Sequence, residues 1–166
     1  MGDRMEKHFT ATAYIIDAEK VLLIYHKKIN KWLPPGGHID PNETPPEAVK
    51  REVLEETGLE IEIFKNEHVW IDDWNAKSIE RPYMCLLENI PEHESKPAHQ
   101  HIDMIFIAYP TGGSIKENER ETSGIRWFTL EDIELLKPDK EIFVETIETL
   151  RNIFKEQALI LQSTGK

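Results

Sequence analysis

Apolar segments of strand length recur along the chain and alternate with polar or glycine-rich turns. They are predicted to form a sheet and cover residues 9–16, 21–26, 59–64, 83–87, 102–109 and 125–128. The segment at 59–64 alternates polar and apolar residues, as a half-buried strand does. The segments at 83–87 and 102–109 are continuous apolar runs suited to central strands, and polar loops are predicted at 91–101 and 110–122.

The clearest helix signals lie in the middle of the chain. Thr44 can serve as N-cap, Pro45 suits the first helical position, and Glu47 completes a capping box. Gly58 is the natural residue to end this helix, because glycine adopts the left-handed conformation without strain. A helix is therefore predicted over residues 45–57.

Two more helices are predicted near the C-terminus. Thr129 can cap a short helix at 130–136, and Asp139 an amphipathic helix that continues to about residue 157. The tail from residue 162 is predicted to be disordered. Strands before and after one internal helix, with further helices at the end, indicate an α/β or α+β sandwich.

Composition narrows the classes of function. Hydrophobic residues make up 39% and charged residues 31% of the 166 residues, which is typical of a globular domain. The net charge of −11 argues against a nucleic-acid backbone as partner, since that binding needs a basic surface. No apolar run reaches the roughly 18 residues that a membrane span needs. The single cysteine, Cys85, cannot form an internal disulfide, which favours a reducing cytoplasm.

Three carboxylates project from one side of the predicted central helix. Glu52, Glu55 and Glu56 stand at positions i, i+3 and i+4, where like charges repel one another. Arg51 can offset part of this repulsion by pairing with Glu55 or with Glu47, each four residues away. On the helix alone, the pattern is also consistent with an ordinary solvated face.

The loop before this helix favours a metal site. Residues 32–37 are too rich in proline and glycine for a regular element. Gly36 and Gly37 would let the backbone approach a metal ion where a Cβ would intrude. Hard cations such as Mg²⁺ prefer oxygen ligands, with water and substrate phosphates completing the shell.

These residues resemble a known signature. Gly37, Glu43 and the segment 51–59, REVLEETGL, match the box of the Nudix family at every specified position. The resemblance implies an α/β/α sandwich around a mixed sheet, formed by one domain over residues 1–166 with short flexible tails. It also implies hydrolysis of a nucleoside diphosphate linked to another moiety, with Mg²⁺ as cofactor and Mn²⁺ as substitute.

The resemblance assigns roles residue by residue. The positions of the metal-binding glutamates fall on Glu52, Glu55 and Glu56. Gly36 falls on a position that often provides a backbone carbonyl ligand, and Arg51 and Glu43 fall on positions that orient the glutamates. Glu52 also falls where some members place the general base. Many Nudix proteins carry a further glutamate before a late strand, as ligand or base, and Glu121 matches it best; otherwise Glu121 belongs to an ordinary acidic loop.

Polar residues also begin the apolar strand predicted after residue 101. His99, His101 and Asp103 alternate with other residues and therefore share one side. They form either a solvated strand entry or the lip of a cleft that contacts substrate phosphate. A histidine metal site of the zinc type is the weaker interpretation, because the glutamates already explain a metal.

Other candidates have both a functional and a purely structural interpretation. Aromatic residues that could stack on a nucleobase, or pack in the core, are Phe9, Trp70, Trp74 and Tyr83. Lysines that could meet phosphates, or lie on a plain surface, are Lys27, Lys28 and Lys31. Trp32 is predicted to brace the glycine loop, and Cys85 to be a small core residue.

Two alternatives to hydrolysis stay open. A nucleotide-sensing binding module shares the fold, but such modules typically lose glutamates of the box, and all are present here. Isopentenyl-diphosphate isomerase also shares the fold but needs a cysteine and histidines at its metal site. No marker of one substrate class is found at residues 72–77, so the predicted partner is a small nucleoside diphosphate derivative, and a homodimer remains open.

Overall fold

Eleven helices and strands are built from the residues that the computed structural model describes, 4–164, with side chains up to residue 158. The described strands form one sheet; they are β1 (Lys7–Asp17), β2 (Lys20–His26), β3 (Lys31–Leu33), β4 (Gly36–His38), β5 (Leu59–Ile63), β6 (Met84–Ile90), β7 (His99–Gly113) and β8 (Thr122–Phe128). The helices are α1 (Pro45–Thr57), α2 (Leu130–Glu134) and α3 (Val144–Thr164).

The sheet is mixed, and its centre is the parallel pair of β1 and β7. His8 lies beside His101 in this pair, and Thr10 lies beside Asp103. The order β3-β2-β1-β7-β5 forms the main path, while β4 pairs antiparallel with β1, β6 with β7, and β8 with β2. Because β1 and β7 begin at the same edge of the sheet, residues 91 or more positions apart in the sequence become neighbours there.

Successive residues of the central strands point to opposite faces, and each face carries its own core. The core beneath α1 contains Ala48, Val49 and Val53 packed with sheet residues such as Ile15 and Phe106. The opposite core packs α2 and α3 against the sheet, through Ile133, Ile142, Ile147, Leu150, Ile153, Tyr14, Leu23 and Phe128. This arrangement is the predicted α/β/α sandwich. Among the described residues, no helix is long and apolar enough to span a membrane.

Helix α1 has the predicted bounds because local chemistry determines both ends. The Thr44 hydroxyl accepts a hydrogen bond from the Glu47 N–H, and the Glu47 carboxylate accepts one from the Thr44 N–H at 2.8 Å. Gly58 ends the helix with φ of 76°. A Cβ on Gly58 would lie 2.4 Å from the Ser114 carbonyl oxygen, so glycine is required sterically as well as conformationally.

Several predictions for the strands need correction. The loop at 32–37 contains parts of two short strands, β3 and β4, because its backbone pairs with β2 and β1. The polar residues at 99–101 and 110–113 belong to β7, since backbone pairing with β6 and β5 does not depend on apolar side chains. Among the described strands, β6 pairs only with β7 and is therefore an edge strand. Cys85 is consequently exposed and is not a core residue.

The final helix begins later than predicted. Asp139 has φ of 59° and lies five residues before Val144, where α3 starts. The intervening Ile142 instead bridges to Trp32 and Pro138, which holds this segment against the sheet. The helix extends to Thr164, so the prediction of disorder is wrong for residues 162–164. The last two residues of the predicted tail lie outside the described part of the chain.

Candidate functional site: a carboxylate cluster at a histidine-bordered cleft

Two glutamates of α1 lie directly against the glycine loop. Glu56 is 4% exposed, and its Oε2 accepts a hydrogen bond from the Gly36 N–H at 3.1 Å. A Cβ on Gly37 would lie 2.6 Å from Cδ and Oε1 of Glu52, so only glycine leaves room for this carboxylate. The two glycines therefore allow the loop backbone to lie directly against the carboxylates of Glu52 and Glu56.

Arg51 organises the carboxylates around it. Its Nε and Nη2 donate to the two Glu43 oxygens at 2.8 and 3.0 Å, a bidentate pair. Its Nη1 donates to Glu52 at 2.7 Å, and lies 3.5 Å from Glu55. Nη2 also donates to the His38 carbonyl oxygen at 3.1 Å. Arg51 thus joins α1 to β4 and to the preceding loop, whereas the expected pair with Glu47 is replaced by the capping box.

The electrostatics of the cluster are unfavourable without a cation. Burial, with the charges of Glu52, Glu121 and Glu55, raises the pKa of Glu56 to about 8, although the Gly36 hydrogen bond opposes the shift. Burial also raises the pKa of Glu52, against the stabilising contact with Arg51. Carboxylates with raised pKa values at a shared cleft are characteristic of functional sites.

Glu121 belongs to the same electrostatic cluster. Its charge raises the pKa of both Glu52 and Glu56, so it lies near enough to act on the same region as α1. Its carbonyl oxygen accepts a hydrogen bond from the Lys27 N–H at 3.0 Å, which fixes the segment immediately before β8. Glu121 therefore acts electrostatically on the glutamates of the helix, and its role as ligand or base stays a prediction.

A cleft of about 950 Å³ opens beside the cluster. Glu56, Gly36 and Gly37 line one part of it, and His101 and Asp103 from β7 line another. Among the described lining residues, Lys31 is the only lysine or arginine, whereas the carboxylates are Glu56, Glu88, Asp103 and Glu145. The cleft is therefore acidic, and its size suits a small molecule.

The polar end of β7 is fixed by bonds to β1. Asp103 is 4% exposed and accepts hydrogen bonds from the hydroxyls of Thr10 and Thr12 at 2.9 and 3.0 Å. Burial raises the pKa of Asp103, and these two bonds oppose the shift. His101 and Asp103 line the cleft, but His99 is buried behind them and does not. Of the predicted trio, His101 and Asp103 therefore belong to the cleft wall, and His99 lies behind it.

Four histidines from three strands converge at this edge of the sheet. They are His8 on β1, His38 on β4, and His99 and His101 on β7. Nε2 of His38 lies 3.3 Å from Nδ1 of His8, and the Nε2 atoms of His99 and His101 are 3.2 Å apart. Burial lowers the pKa of His101 to about 4 and also lowers the pKa of His38.

Two of these histidines were not predicted as functional. His8 and His38 lie 30 positions apart in the sequence and belong to neither a strand-face pattern nor a motif. Their association depends on the pairing of Thr10 with His38, which brings β4 alongside β1. No local signal in the sequence specifies that pairing.

The predicted aromatic candidates do not line the cleft, while two others do. Trp70 and Trp74 are 47% and 93% exposed, and Lys65 lies over the Trp70 ring. The aromatic residues of the cleft are instead Tyr14 and Phe143. The predicted final helix began after Asp139 and so included Phe143, whereas Phe143 precedes α3 in the structure and lines the cleft. Among the three candidate lysines, only Lys31 is a lining residue in the described part of the chain.

Comparisons with known proteins agree with this geometry. The sequence model of the NUDIX domain family matches residues 6–150. A Bacillus subtilis (strain 168) protein, provisionally described as an 8-oxo-dGTP diphosphatase, is 30% identical over 122 residues, or 72% of this chain and 66% of the relative. A Lactococcus lactis protein provisionally named as a DHNTP pyrophosphohydrolase is 28% identical over 124 residues, or 74% of this chain and 63% of the relative. The chain therefore spans slightly less than two thirds of these curated relatives.

A solved structure supports the same assignment. The crystal structure of a hydrolase of the NUDIX family from Clostridium perfringens superposes with a TM-score of 0.67 at 31% sequence identity. The match covers 88% of this chain and 97% of that one. Since the family model covers most of the described residues and the fold agrees, the chain belongs to the NUDIX family.

Proposed function

We propose that the protein is a metal-dependent hydrolase that cleaves a phosphoanhydride bond of a small nucleoside-diphosphate-linked compound with water. The observation that carries this proposal is the buried carboxylate of Glu56 at the wall of an acidic cleft, with the Glu52 carboxylate packed against Gly37 of the same wall. A diphosphate would be repelled from such a wall unless a cation neutralised both. The chain offers only Lys31 among the described lysines and arginines of the cleft, so a bound metal is the source of charge that fits.

The residues present fit Mg²⁺, with Mn²⁺ as a substitute. The donors are carboxylate oxygens of Glu52, Glu55 and Glu56, with the Gly36 carbonyl as a backbone candidate, and hard cations prefer oxygen ligands. The space that a Cβ on Gly37 would occupy is kept open beside Glu52. When bound, such an ion neutralises diphosphate charge and lowers the pKa of a coordinated water.

The other site residues are proposed to position the Glu52 carboxylate and to accept a proton from the attacking water. Arg51 holds the Glu52 carboxylate in place through a bond of 2.7 Å, and Glu43 fixes Arg51 in turn. A carboxylate near the attacking water is needed to accept its proton, and Glu52 and Glu121 are the two candidates for this general base. The charge of Glu121 raises the pKa of Glu52, which supports considering the two carboxylates together as candidates.

The substrate is proposed to lie along the cleft, with its diphosphate at the glutamates. The two curated relatives carry names of nucleotide pyrophosphohydrolases, which supports a nucleotide-like compound. His101 and Asp103 are proposed to contact the substrate from β7, with His99 supporting His101 from behind. Phe143 offers an aromatic face, and Lys31 lies 5.1 Å from its ring centroid. Phe143 is proposed to stack on a base of the substrate, and Lys31 to contact a neighbouring phosphate.

The alternatives are less well supported by the same site. A sensing module needs no cluster of carboxylates with raised pKa values, yet the cluster is complete. Cys85, the only cysteine, is exposed on β6 and does not line the cleft, which disfavours the isomerase reaction. We further propose a cytoplasmic protein that acts on small molecules as one domain over residues 1–166 and that binds neither nucleic acid nor membrane; a homodimer is compatible with this proposal.

A substrate panel tests the proposal. The purified protein is incubated with Mg²⁺ and nucleoside triphosphates, nucleotide sugars, ADP-ribose and dinucleoside polyphosphates, and products are separated by ion-exchange chromatography. Hydrolysis of at least one class in H₂¹⁸O, with ¹⁸O in a phosphate product, is expected. Tight binding of a nucleotide without turnover of any class would instead identify a sensing module.

A further inference from the structure

The histidine cluster at the edge of the cleft is chemically different from the glutamate site. One ring nitrogen from each of His8, His38 and His101 lies within 4.8 Å of the other two. These three side chains come from β1, β4 and β7, which the sheet places next to one another. Imidazole nitrogens suit borderline transition metals such as Zn²⁺, whereas Mg²⁺ prefers oxygen.

We propose that His8, His38 and His101 form a second metal site, for a divalent transition metal of the Zn²⁺ class, separate from the glutamate site. This inference does not depend on the proposed hydrolytic activity. His38 follows Gly36 by two positions on β4, a separation of about 6.6 Å along a strand. The two sites therefore border the same cleft.

The spacing of the nitrogens fits this ion. Two nitrogens bound at 2.0–2.1 Å to a tetrahedral Zn²⁺ are about 3.3 Å apart. Nε2 of His38 and Nδ1 of His8 already lie 3.3 Å apart. The other separations reach at most 4.8 Å, so a small rotation of the His101 side chain brings its nitrogen to the same ion.

Hydrogen-bonding groups outside the proposed metal site orient the rings of His8 and His101. Nε2 of His8 lies 3.1 Å from a Glu6 oxygen, which leaves Nδ1 to face His38. Nδ1 of His99 donates to the Pro97 carbonyl oxygen at 2.9 Å, and its Nε2 lies 3.2 Å from Nε2 of His101, which positions the His101 ring. Metal-binding histidines usually have such carboxylate or carbonyl-linked partners on the other ring nitrogen.

The charges around the cluster also favour a cation. Glu88 lies 3.9 Å from Nδ1 of His101, and Glu6 contacts His8. Asp103 is the next lining residue on the same side of β7. Three protein ligands leave a fourth position of a tetrahedral ion for water or an oxygen of a bound molecule, as in open zinc sites.

Cobalt binding tests this site directly. Untagged protein, freed of metal by chelator and dialysis, is titrated with Co²⁺ alone, and visible absorption is recorded. Intense d–d bands that saturate at one ion per chain are expected, because four-coordinate Co²⁺ with nitrogen ligands absorbs far more strongly than six-coordinate Co²⁺ on carboxylates. Zn²⁺ should displace the Co²⁺ and abolish the bands.

Variants locate the bound ion. H38Q and H101Q should lose the intense bands, while H68Q, at an exposed histidine outside the cleft, and E56Q should keep them. E6Q should weaken Co²⁺ binding by about 10-fold, the lower range for loss of an outer partner. Circular dichroism confirms folding of each variant, and His38 is exposed enough for H38Q to fold. Absence of intense bands in the wild type, their persistence in H38Q, or their loss in E56Q would overturn the proposal.

Discussion

Arg51 determines how the carboxylates of the site differ from one another. Its guanidinium contacts Glu43 and Glu52 at 2.7–3.0 Å, and the bonds to Glu43 raise the pKa of Arg51 above its usual range. Glu52 therefore has a permanent positive partner. Among the described residues, the Gly36 N–H is the one group that donates a hydrogen bond to the Glu56 carboxylate. Of the buried Glu56 and the half-buried Glu52, Glu56 thus gains more from a bound cation.

Replacing Glu52 or Glu56 with glutamine is expected to change the catalytic rate but not to lower the stability of the fold. Glu52→Gln and Glu56→Gln are each expected to lower kcat by about 100-fold or more, the scale of losing a main electrostatic or acid–base group. The free energy of unfolding should hold or rise slightly, because each change removes like-charge repulsion. Steady-state kinetics and urea unfolding of the same preparations provide both quantities.

The matched control is Glu62→Gln, at an exposed position of β5 outside the cleft. It changes the net charge by the same amount and should leave kcat within about twofold. If the two glutamine variants of α1 lose stability but keep their specific activity, the carboxylates are structural and not catalytic.

The raised pKa of Glu56 predicts a pH dependence of stability in the metal-free protein. With a pKa of about 8 when folded and 4.5 when unfolded, the folded state binds more protons between these values. The contribution of Glu56 to the free energy of unfolding therefore falls as pH rises from about 5 to 8. Glu56→Gln removes this contribution, so its stability advantage over the wild type should grow across that window.

Urea unfolding in excess EDTA at several pH values measures this difference. A constant gap between variant and wild type from pH 5 to pH 8 would show that Glu56 titrates normally. Glu62→Gln again serves as control, since an exposed carboxylate at that position should give the same small gap throughout.

Residues within one motif could be predicted from the sequence, whereas residues that meet through the sheet could not. Glu52, Glu56 and Arg51 lie on one helix, so their spacing alone specifies that they are close. His8 and His101 are 93 positions apart and become neighbours only through the parallel pairing of β1 and β7. The proximity of His8 and His38 to His101 was accordingly not predicted.

Helix α1 is the element that the sequence specifies best. Its first turn is fixed by the side chains of Thr44 and Glu47 and its end by the left-handed backbone of Gly58, so no distant contact is needed to place either end. The strand β6 and the start of α3 behave differently. An apolar run does not say whether a strand is central or at an edge, and the bridge from Ile142 to Trp32 depends on the assembled sheet.

Because β4 and α1 are in close contact, adding one methyl group at Gly37 is expected to lower kcat. In Gly37→Ala, the new Cβ would lie 2.6 Å from the Glu52 carboxylate, which must move away from its position beside the loop. We expect kcat to fall by at least about 10-fold, since small displacements of a catalytic group are costly. The secondary structure, measured by circular dichroism, should be unchanged.

Gly112→Ala is the matched control for this change. Its Cβ would meet mainly the flexible end of the Glu60 side chain, at 2.9 Å from Oε2, far from the cleft lining. Activity near the wild-type value is expected for this variant. Equal losses in both variants would indicate a general effect on the sheet, and full activity of Gly37→Ala would show that Glu52 does not need its observed position.

Both faces of the sheet carry a packed core, but the cleft opens on only one of them. It lies beside Tyr14 and Ile105 on the face that packs against α2 and α3, and β6 and the segment before α3 border it. The sequence predicted the sandwich and the glutamates but not the cleft, because its walls come from six strands, from α1 and α3, and from loops that are distant in sequence. The acidic lining of this cleft agrees in sign with the net charge of −11, and it is the basis of our proposal that a diphosphate binds there together with a cation.

Metal dependence of turnover tests this mechanism most directly. The wild type, freed of metal and supplied with the best substrate of the panel, should lose at least about 100-fold in turnover in excess EDTA, because the ion contributes several kcal/mol to the transition state. Mg²⁺ added beyond the EDTA should restore the rate, and Mn²⁺ should replace it, while Glu56→Gln should stay inactive under both conditions. Undiminished turnover by the wild type in excess EDTA would contradict the metal-dependent mechanism.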